Sequence, residues 1–480
     1  MGGERGTAAG GRRAVMVAAA ALAVWLTAAA GGGAASALGA SAPPPGPVTI
    51  GVIGDQTLAA DLDASYRTLA RAVEVLAARR PDVVLHTGDL LESSRPPAEV
   101  RAQWQAATGL LDRLPAPWFL AAGDHDVNPP AFRPGSPDRS RERLFQELYA
   151  AREPRVRERL WYSFDVAGVH FVALHSQQTL HADPRWGNVF LARVGEDQLA
   201  WLARDLAAHA GARATVVFLH QPLWLHWSGW RPVHELLRRH RVAAVVAGHL
   251  HHDQSGGTLD GIEYLVVGAA GGATKEGGRD AGAVHHVTLL RVGAPGGVEI
   301  ELLPLDGGGP LSPTPRADAE RVQALDVQLG ELWDFSRRNP VFLRRGGLVA
   351  DCATGEPARL TLDRLGNPTD LPLRVEIALA ADPPAVRLAG AAFAAGACAE
   401  PAASLVCTLP PSARVLVANP STVTVDPAAP PLWTATLGPA GAAPPPPGTE
   451  LRLTVRTAID GDSGELFLTR TATTAVHACR

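Results

Sequence analysis

The sequence predicts an α/β domain followed by a β-sandwich-like domain. From Val48 to about Leu303, short apolar runs alternate with helical patterns, as layered α/β structure requires. After Asn339-Pro340 the pattern changes to strand-length runs separated by Pro, Gly and Asp turns, which favours a sandwich of about seven or eight strands. A chain of 480 residues also exceeds what one ordinary core organises.

Taken in order, residues 1–42 read as an export signal peptide. Arg12 and Arg13 precede an apolar run from Ala14 to Ala30, and small residues follow to Ala42. The run is short for a bilayer span and lacks a basic stop-transfer flank, which argues for a signal over a retained anchor helix. Gly11-Arg12-Arg13-Ala14-Val15-Met16 also resembles a twin-arginine signal, although ordinary signals carry paired arginines too. The expected location is periplasmic or extracellular, with no membrane span after signal removal.

Pro43-Pro44-Pro45 opens the mature body, and the α/β domain covers 47–305. Leu69, Val73 and Leu76 share one helical face, and Gln198, Leu199, Trp201, Leu202 and Leu206 mark a second helix. Tyr162 to Leu174 reads as two strands joined near Gly168, which makes the sheet mixed, and Val298 to Leu303 as the closing strand. Residues 306–340 read as a Gly/Pro-rich linker, Asp306 to Pro315, and a helix carrying Val322, Leu325, Leu329, Leu332 and Trp333. The β-rich domain covers 341–480, with strands at Arg359–Leu362, Leu373–Ile377, Thr422–Val425 and Leu451–Val455, and Pro444 to Pro447 in a loop.

A hydrophobic content of 46% with 19% charged residues is globular, and a formal charge of −4 gives no general pull toward nucleic acid or anionic lipid. No heptad pattern marks an oligomer. The 4 cysteines, Cys352, Cys398, Cys407 and Cys479, read as two disulfides in an exported protein. The preferred pairing is Cys398–Cys407, closing a short loop, with Cys352–Cys479 tying the ends of the domain.

The chemistry lies where apolar runs end. Val48–Ile53 leads to Gly54-Asp55, Val83–Leu85 to Gly88-Asp89, and Trp118–Leu120 to Gly123-Asp124-His125-Asp126. Val216–Leu219 leads to His220, and Ala243–Val246 to Gly248-His249-Leu250-His251. Ligands of open α/β sheets collect at the carboxyl ends of strands, so this repetition lines Asp and His along one edge. Mixed carboxylate and imidazole donors suit Mn, Fe or Zn better than Ca or Mg. Two such ions about 3.5–4 Å apart could clamp a phosphoryl group and generate a hydroxide for in-line attack.

In this order the motifs resemble the calcineurin-like metallophosphoesterase series, including purple acid phosphatases and phosphodiesterases, over roughly Val48 to Gly272. The resemblance implies a four-layer sandwich of mixed sheets flanked by helices and a dinuclear centre acting on phosphomonoesters or phosphodiesters. It assigns Asp55, Asp89 and His251 to one metal, and Asp89, Asp124, His220 and His249 to the other, with Asp89 bridging. His125 becomes the phosphate-facing catalytic histidine.

Two departures stand out. The family's first motif is Asp-x-His, whereas this chain reads Asp55-Gln56-Thr57, and its third motif carries Asn where Asp124 stands. Glu92 is a candidate replacement ligand or a solvated loop carboxylate, with Gln56 and Thr57 as weaker candidates set against simple loop roles. The missing imidazole also motivates the alternative of a degenerate, non-catalytic scaffold on this fold. Asp126 reads as a structural loop carboxylate, His86 as core, and His175 as a buried, hydrogen-bonded histidine. His226, His252 and Asp253 are placed near substrate or in the supporting loops, and Trp224, Trp227 and Trp230 either roof the site or pack their own loop.

Overall fold

The computed structural model describes residues 46–59, 61–130, 138–177, 179–183, 187–225, 229–274, 278–293 and 297–325. In the C-terminal third it describes 359–362, 367, 369–382, 386–393, 397–399, 404–409, 411, 433–439 and 450–475. Residues 1–42, expected to be an export signal, and Cys352, Cys479, Leu329, Leu332, Trp333, Thr422–Val425, Pro444 to Pro447, His226 and Trp227 lie outside the described residues.

The first half runs β1 (Val48–Ile53), α1 (Leu62–Arg79), β2 (Val83–His86), α2 (Pro97–Leu111), β3 (Trp118–Leu120), α3 (Asp124–Val127), α4 (Ser140–Tyr149), β4 (Tyr162–Val166), β5 (Val169–Ala173), β6 (Thr179–Asp183) and β7 (Gly187–Leu191). It continues with α5 (Glu196–Ala208), β8 (Ala214–Phe218), α6 (Arg231–Leu237), β9 (Val242–Ala247), β10 (Gln254–Leu259), β11 (Ile262–Val266), β12 (His286–Val292) and β13 (Val298–Pro304).

These strands build a 5-stranded sheet, β13-β12-β1-β2-β3, and a 6-stranded sheet, β10-β11-β9-β8-β5-β4. Both are mixed: β1, β2 and β3 run parallel, as do β5, β8, β9 and β11, with antiparallel strands added at the flanks. The strand expected to close the domain, β13, is an edge strand paired with β12. The hairpin β6–β7 went unanticipated, because its segment alternates too weakly to read as strand.

Alternation along the second sheet separates two cores. Phe171, Val216, Phe218, Ala244 and Val246 join residues of the first sheet in one cluster, together with Leu69, Val73 and Leu76 of α1. Val172, Val217, Val245 and Ala247 face the other way, onto Trp201, Leu202 and Leu206 of α5 and Val233 and Leu237 of α6. The order is helix, sheet, sheet, helix. Each buried Leu or Val contributes about 1.5–3 kcal/mol of apolar transfer. Trp224 and Trp230 belong to the second cluster, so they pack their own loop and do not roof the site.

A second polar feature pins the fold away from the strand ends. His170, fully buried on β5, sets Nδ1 2.9 Å from Asp165 Oδ1 and Nε2 2.9 Å from Asp205 Oδ2. The His209 ring stacks on it at 3.9 Å between centroids.

The remaining strands are β14 (Arg359–Leu362), β15 (Leu373–Asp382), β16 (Val386–Phe393), β17 (Ala397–Ala399), β18 (Ser404–Leu409), β19 (Trp433–Pro439), β20 (Glu450–Asp460) and β21 (Glu465–Ala475). They form two antiparallel sheets, β14-β19-β16 and β17-β18-β15-β20-β21. Cys398 and Cys407 stand opposite each other in the β17–β18 register. Residues 316–325 are helical and lead from the first half toward these sheets. Among the described residues, no helix is long and apolar enough to cross a membrane.

Candidate metal centre

The strand ends are in register. Ile53 pairs with His86, and His86 with Leu120, so β1, β2 and β3 stop along one line, with Asp55, Asp89 and Asp124 just beyond it. In the other sheet Phe218 pairs with Val246, and His220, His249 and His251 follow. Backbone bonds lace these loops together: Asp55 N–H to Gly88 O (3.0 Å), Gln56 N–H to Asp89 O (2.9 Å) and Gly248 N–H to His220 O (2.9 Å).

Close approach explains two of the motif glycines. Gly88 has φ 108°, and a Cβ there would lie 2.8 Å from both Gly123 N and His220 Nδ1. At Gly248 a Cβ would stand 2.4 Å from Asp55 Oδ2. Left-handed backbone also concentrates at the expected ligands themselves, with φ 57° at Asp55, 57° at Asp89, 72° at His249 and 58° at His251. Each such residue costs about 1–3 kcal/mol, which persists only where the surroundings dictate the conformation.

The structure brings all six predicted ligands together. His220 Nε2 lies 2.9 Å from Asp124 Oδ1 and 3.3 Å from Asp89 Oδ1. His249 Nδ1 lies 3.0 Å from Asp124 Oδ1 and 3.2 Å from His220 Nε2. His251 Nε2 is 3.6 Å from Asp55 Oδ1, whose carboxylate also accepts the His249 N–H. Donor atoms converge in overlapping groups: Asp124, His220 and His249; Asp55, Asp89 and His220; and Asp89, Asp124 and His125.

Backbone carbonyls hold two of the imidazoles. His220 Nδ1 donates to Thr87 O at 2.9 Å, and His251 Nδ1 to Ala273 O. Such bonds fix the tautomer and leave Nε2 as the donor atom.

The donor chemistry fits a cation. Burial, opposed by His220 and reinforced by Asp89, pushes Asp55 up to about 8. Burial works against a charged His220, yet Asp89 and Asp124 hold its pKa well above the imidazole range. Acids and imidazoles crowded around shared atoms, out of solvent, require positive charge between them. Asp124, the departure from the family's Asn, carries part of this demand: its pKa lies far below normal despite burial, through bonds from His220 and His249.

The first-motif departure also resolves. Gln56 turns away from the cluster, its Oε1 2.5 Å from His86 Nε2, while Gly88 N–H donates to His86 Nδ1 at 3.1 Å. His86 is core, and burial drops it to about 3. Thr57 Oγ1 donates to Asp89 Oδ2 at 3.2 Å, so it steadies that carboxylate.

Glu92 has a different task from the one weighed in the sequence. Its Oε2 lies 3.0 Å from His125 Nδ1, and its Oε1 accepts the Leu58 N–H at 2.9 Å. It therefore ties the third motif to the first-motif loop. His125 retains 28% of its side-chain surface, in contrast with the sealed His220. Burial lowers the His125 pKa, but the Glu92 bond and nearby Asp89 outweigh it and push it up to about 9. Asp126 is structural: its carboxylate accepts from Asp89 N, Leu91 N and Gly123 N at 2.8–2.9 Å. His175 is buried as expected, but neither ring nitrogen has a hydrogen-bond partner among the described residues, and burial lowers it to about 3. His252 and Asp253 face supporting elements, with Gln323 and Thr314 as partners.

Residues 48–253 match the calcineurin-like phosphoesterase family. It is 28% identical over 251 residues to purple acid phosphatase 23 of Arabidopsis thaliana, covering 48% of this chain and 48% of that protein. It is 26% identical over 281 residues to a cAMP/cGMP dual specificity phosphodiesterase of Mycobacterium tuberculosis, covering 53% of this chain and 76% of that one. Among solved structures, a dimetal phosphatase from Danio rerio aligns with TM-score 0.40 and 15% identity, over 56% of this chain and 99% of that chain. The chain spans about half the length of the purple acid phosphatases it matches.

Proposed function

We propose that this chain is an exported, metal-dependent phosphoester hydrolase with a dinuclear centre. The observation that carries the reading is the convergence of Asp55, Asp89, Asp124, His220, His249 and His251 beside a solvent-reaching His125–Glu92 pair. Asp55, Asp89 and His251 would hold one cation, and Asp89, Asp124, His220 and His249 the other, drawn from Mn, Fe or Zn. When bound, the cations supply positive charge to the phosphoryl oxygens and a nucleophile at neutral pH.

The chain's own residues do the rest. Glu92 holds His125 by Nδ1, leaving Nε2 to meet the substrate and give a proton to the leaving oxygen. Thr57 and the His125 N–H fix opposite oxygens of Asp89, so its carboxylate cannot rotate. Asp126 clamps the loops carrying Asp89 and Asp124 onto each other.

His125→Ala should cut turnover of p-nitrophenyl phosphate or its bis-ester by about 10²–10⁴-fold with Mn(II) content unchanged. Unchanged turnover removes the role assigned to His125. The missing first-motif imidazole favours a second reading, a scaffold without catalysis, and elemental analysis after reconstitution separates the two. Bound transition metal supports the hydrolase; none supports the scaffold. Export rests on the features of residues 1–42, and the Cys398–Cys407 register supports a cross-strand disulfide there.

A further inference from the structure

The β-rich half of the chain reaches the metal loop through a continuous set of contacts. Residues 461–464 turn β20 into β21 and rest on Asp318, which has no exposed surface. The Asp318 carboxylate accepts from Asp462 N (3.1 Å), Ser463 N (2.7 Å) and Arg321 Nη1 (2.7 Å). Ser463 Oγ lies 2.8 Å from both Asp318 Oδ2 and Asp280 O. Beside it, a Cβ on Gly278 would stand 2.8 Å from the Phe467 ring. The turn thus touches the 316–325 helix and the 278–282 loop together.

Both of those elements continue to the residues that follow His251. Gly282 O accepts the Asp253 N–H at 3.2 Å, and Thr314 N–H donates to Asp253 Oδ2 at 2.6 Å. Gln323 Nε2 stands 3.3 Å from His252 Nε2. His251, His252 and Asp253 are consecutive, and His251 sits in left-handed backbone that must be imposed from outside. A buried carboxylate is costly unless its lone pairs are filled, and here the distant β20–β21 turn fills those of Asp318. An independent module on a linker would need no such contact.

We propose that the β20–β21 turn positions the His251 loop, so that the C-terminal sheets set cation affinity at the Asp55–His251 end of the cluster. Asp318, Ser463 and Gln323 are positioning residues on this route. The proposal rests on the dinuclear reading above.

The test is calorimetric titration of the full-length, metal-stripped protein with Mn(II). Ser463→Ala and Gln323→Ala should each weaken the looser of two binding events by about tenfold, the low end for outer-shell partners, and leave the tighter event unchanged. Ser463 is exposed and loses only a hydroxyl, so its variant keeps the fold even if Asp318→Asn does not; thermal melting checks this. Asp460→Ala, on the same hairpin but with its exposed side chain paired to Arg374, should bind as the parent does. Parent-like affinities in both Ser463→Ala and Gln323→Ala overturn the proposal while leaving the metal centre intact. If the parent itself binds no Mn(II), the dinuclear reading falls and this one with it.

Discussion

Two buried imidazoles in this protein each lie between two carboxylates, yet they are built for different ends. His170 gives one nitrogen to each acid, Asp165 and Asp205, at 2.9 Å. Both ring nitrogens are matched, and the His209 ring stacks on it 13° from parallel, its own nitrogens 3.7 Å from Asp205 Oδ1 and 3.9 Å from Asp165 Oδ2. His220 gives Nδ1 to a carbonyl and leaves Nε2 facing Asp89, Asp124 and the Nδ1 of His249. One proton cannot serve so many partners, but a cation can. Composition does not separate a structural pin from a metal site; several donors sharing one nitrogen do.

The largest test of that contrast exchanges the two histidines for neutral residues. His220→Ala should strip the centre of metal and reduce phosphoester turnover to background, read by elemental analysis and p-nitrophenyl phosphate hydrolysis. His170→Gln should keep both metal and turnover and lose thermal stability alone. Metal loss in the His170 variant would make the two sites alike and end the distinction.

Gly88 offers a smaller perturbation of the convergent site. An alanine must adopt φ 108° with its Cβ 2.8 Å from His220 Nδ1, the atom that Thr87 O holds in place. Gly88→Ala should lower unfolding free energy by at least about 1–3 kcal/mol and weaken Mn(II) binding, both measured on the same preparation by urea denaturation and titration. A stable variant with parental metal affinity would show that the ring tolerates displacement and that its placement is not strict.

The sequence made the strand-end ligands legible because each stands just past an apolar run, where register aligns them whatever the loops do. Asp55, Asp89, Asp124, His220, His249 and His251 needed no tertiary knowledge to be grouped. The supports were illegible for a physical reason: Thr87 O and Ala273 O are backbone atoms, which no letter announces. Glu92 was visible by its position near Asp89, but its partner His125 is 33 residues away, a pairing only folding creates. Gln56 was a weak ligand candidate beside Asp55, with a loop role as the favoured reading; its side chain serves His86, a partner the sequence did not name. Alternation made the α/β class legible and the family resemblance implied its four layers, whereas the β6–β7 hairpin, built from a segment of mixed polarity, was not legible.

The subtlest consequence concerns pH. Burial opposes a charged His170, but the bonds to Asp205 and Asp165 win and raise its pKa above the ordinary 6.5. Asp205 is drawn the other way: its bonds from His170 and Ser163 outweigh burial and lower it below the ordinary carboxylate value of 3.8. The signs follow from linkage. His170 contributes stability fully below 6.5, and that contribution is lost as pH rises through its raised folded value; the Asp205 contribution is complete above 3.8 and fades as pH falls through its lowered one. Melting temperatures of the metal-stripped protein should therefore fall between about pH 6 and about pH 9 by more in the parent than in His170→Gln, which has no proton to lose. Equal slopes would mean that the Asp165–His170–Asp205 bridge is neutral in the folded protein, and the contrast with His220 would then rest on geometry without charge.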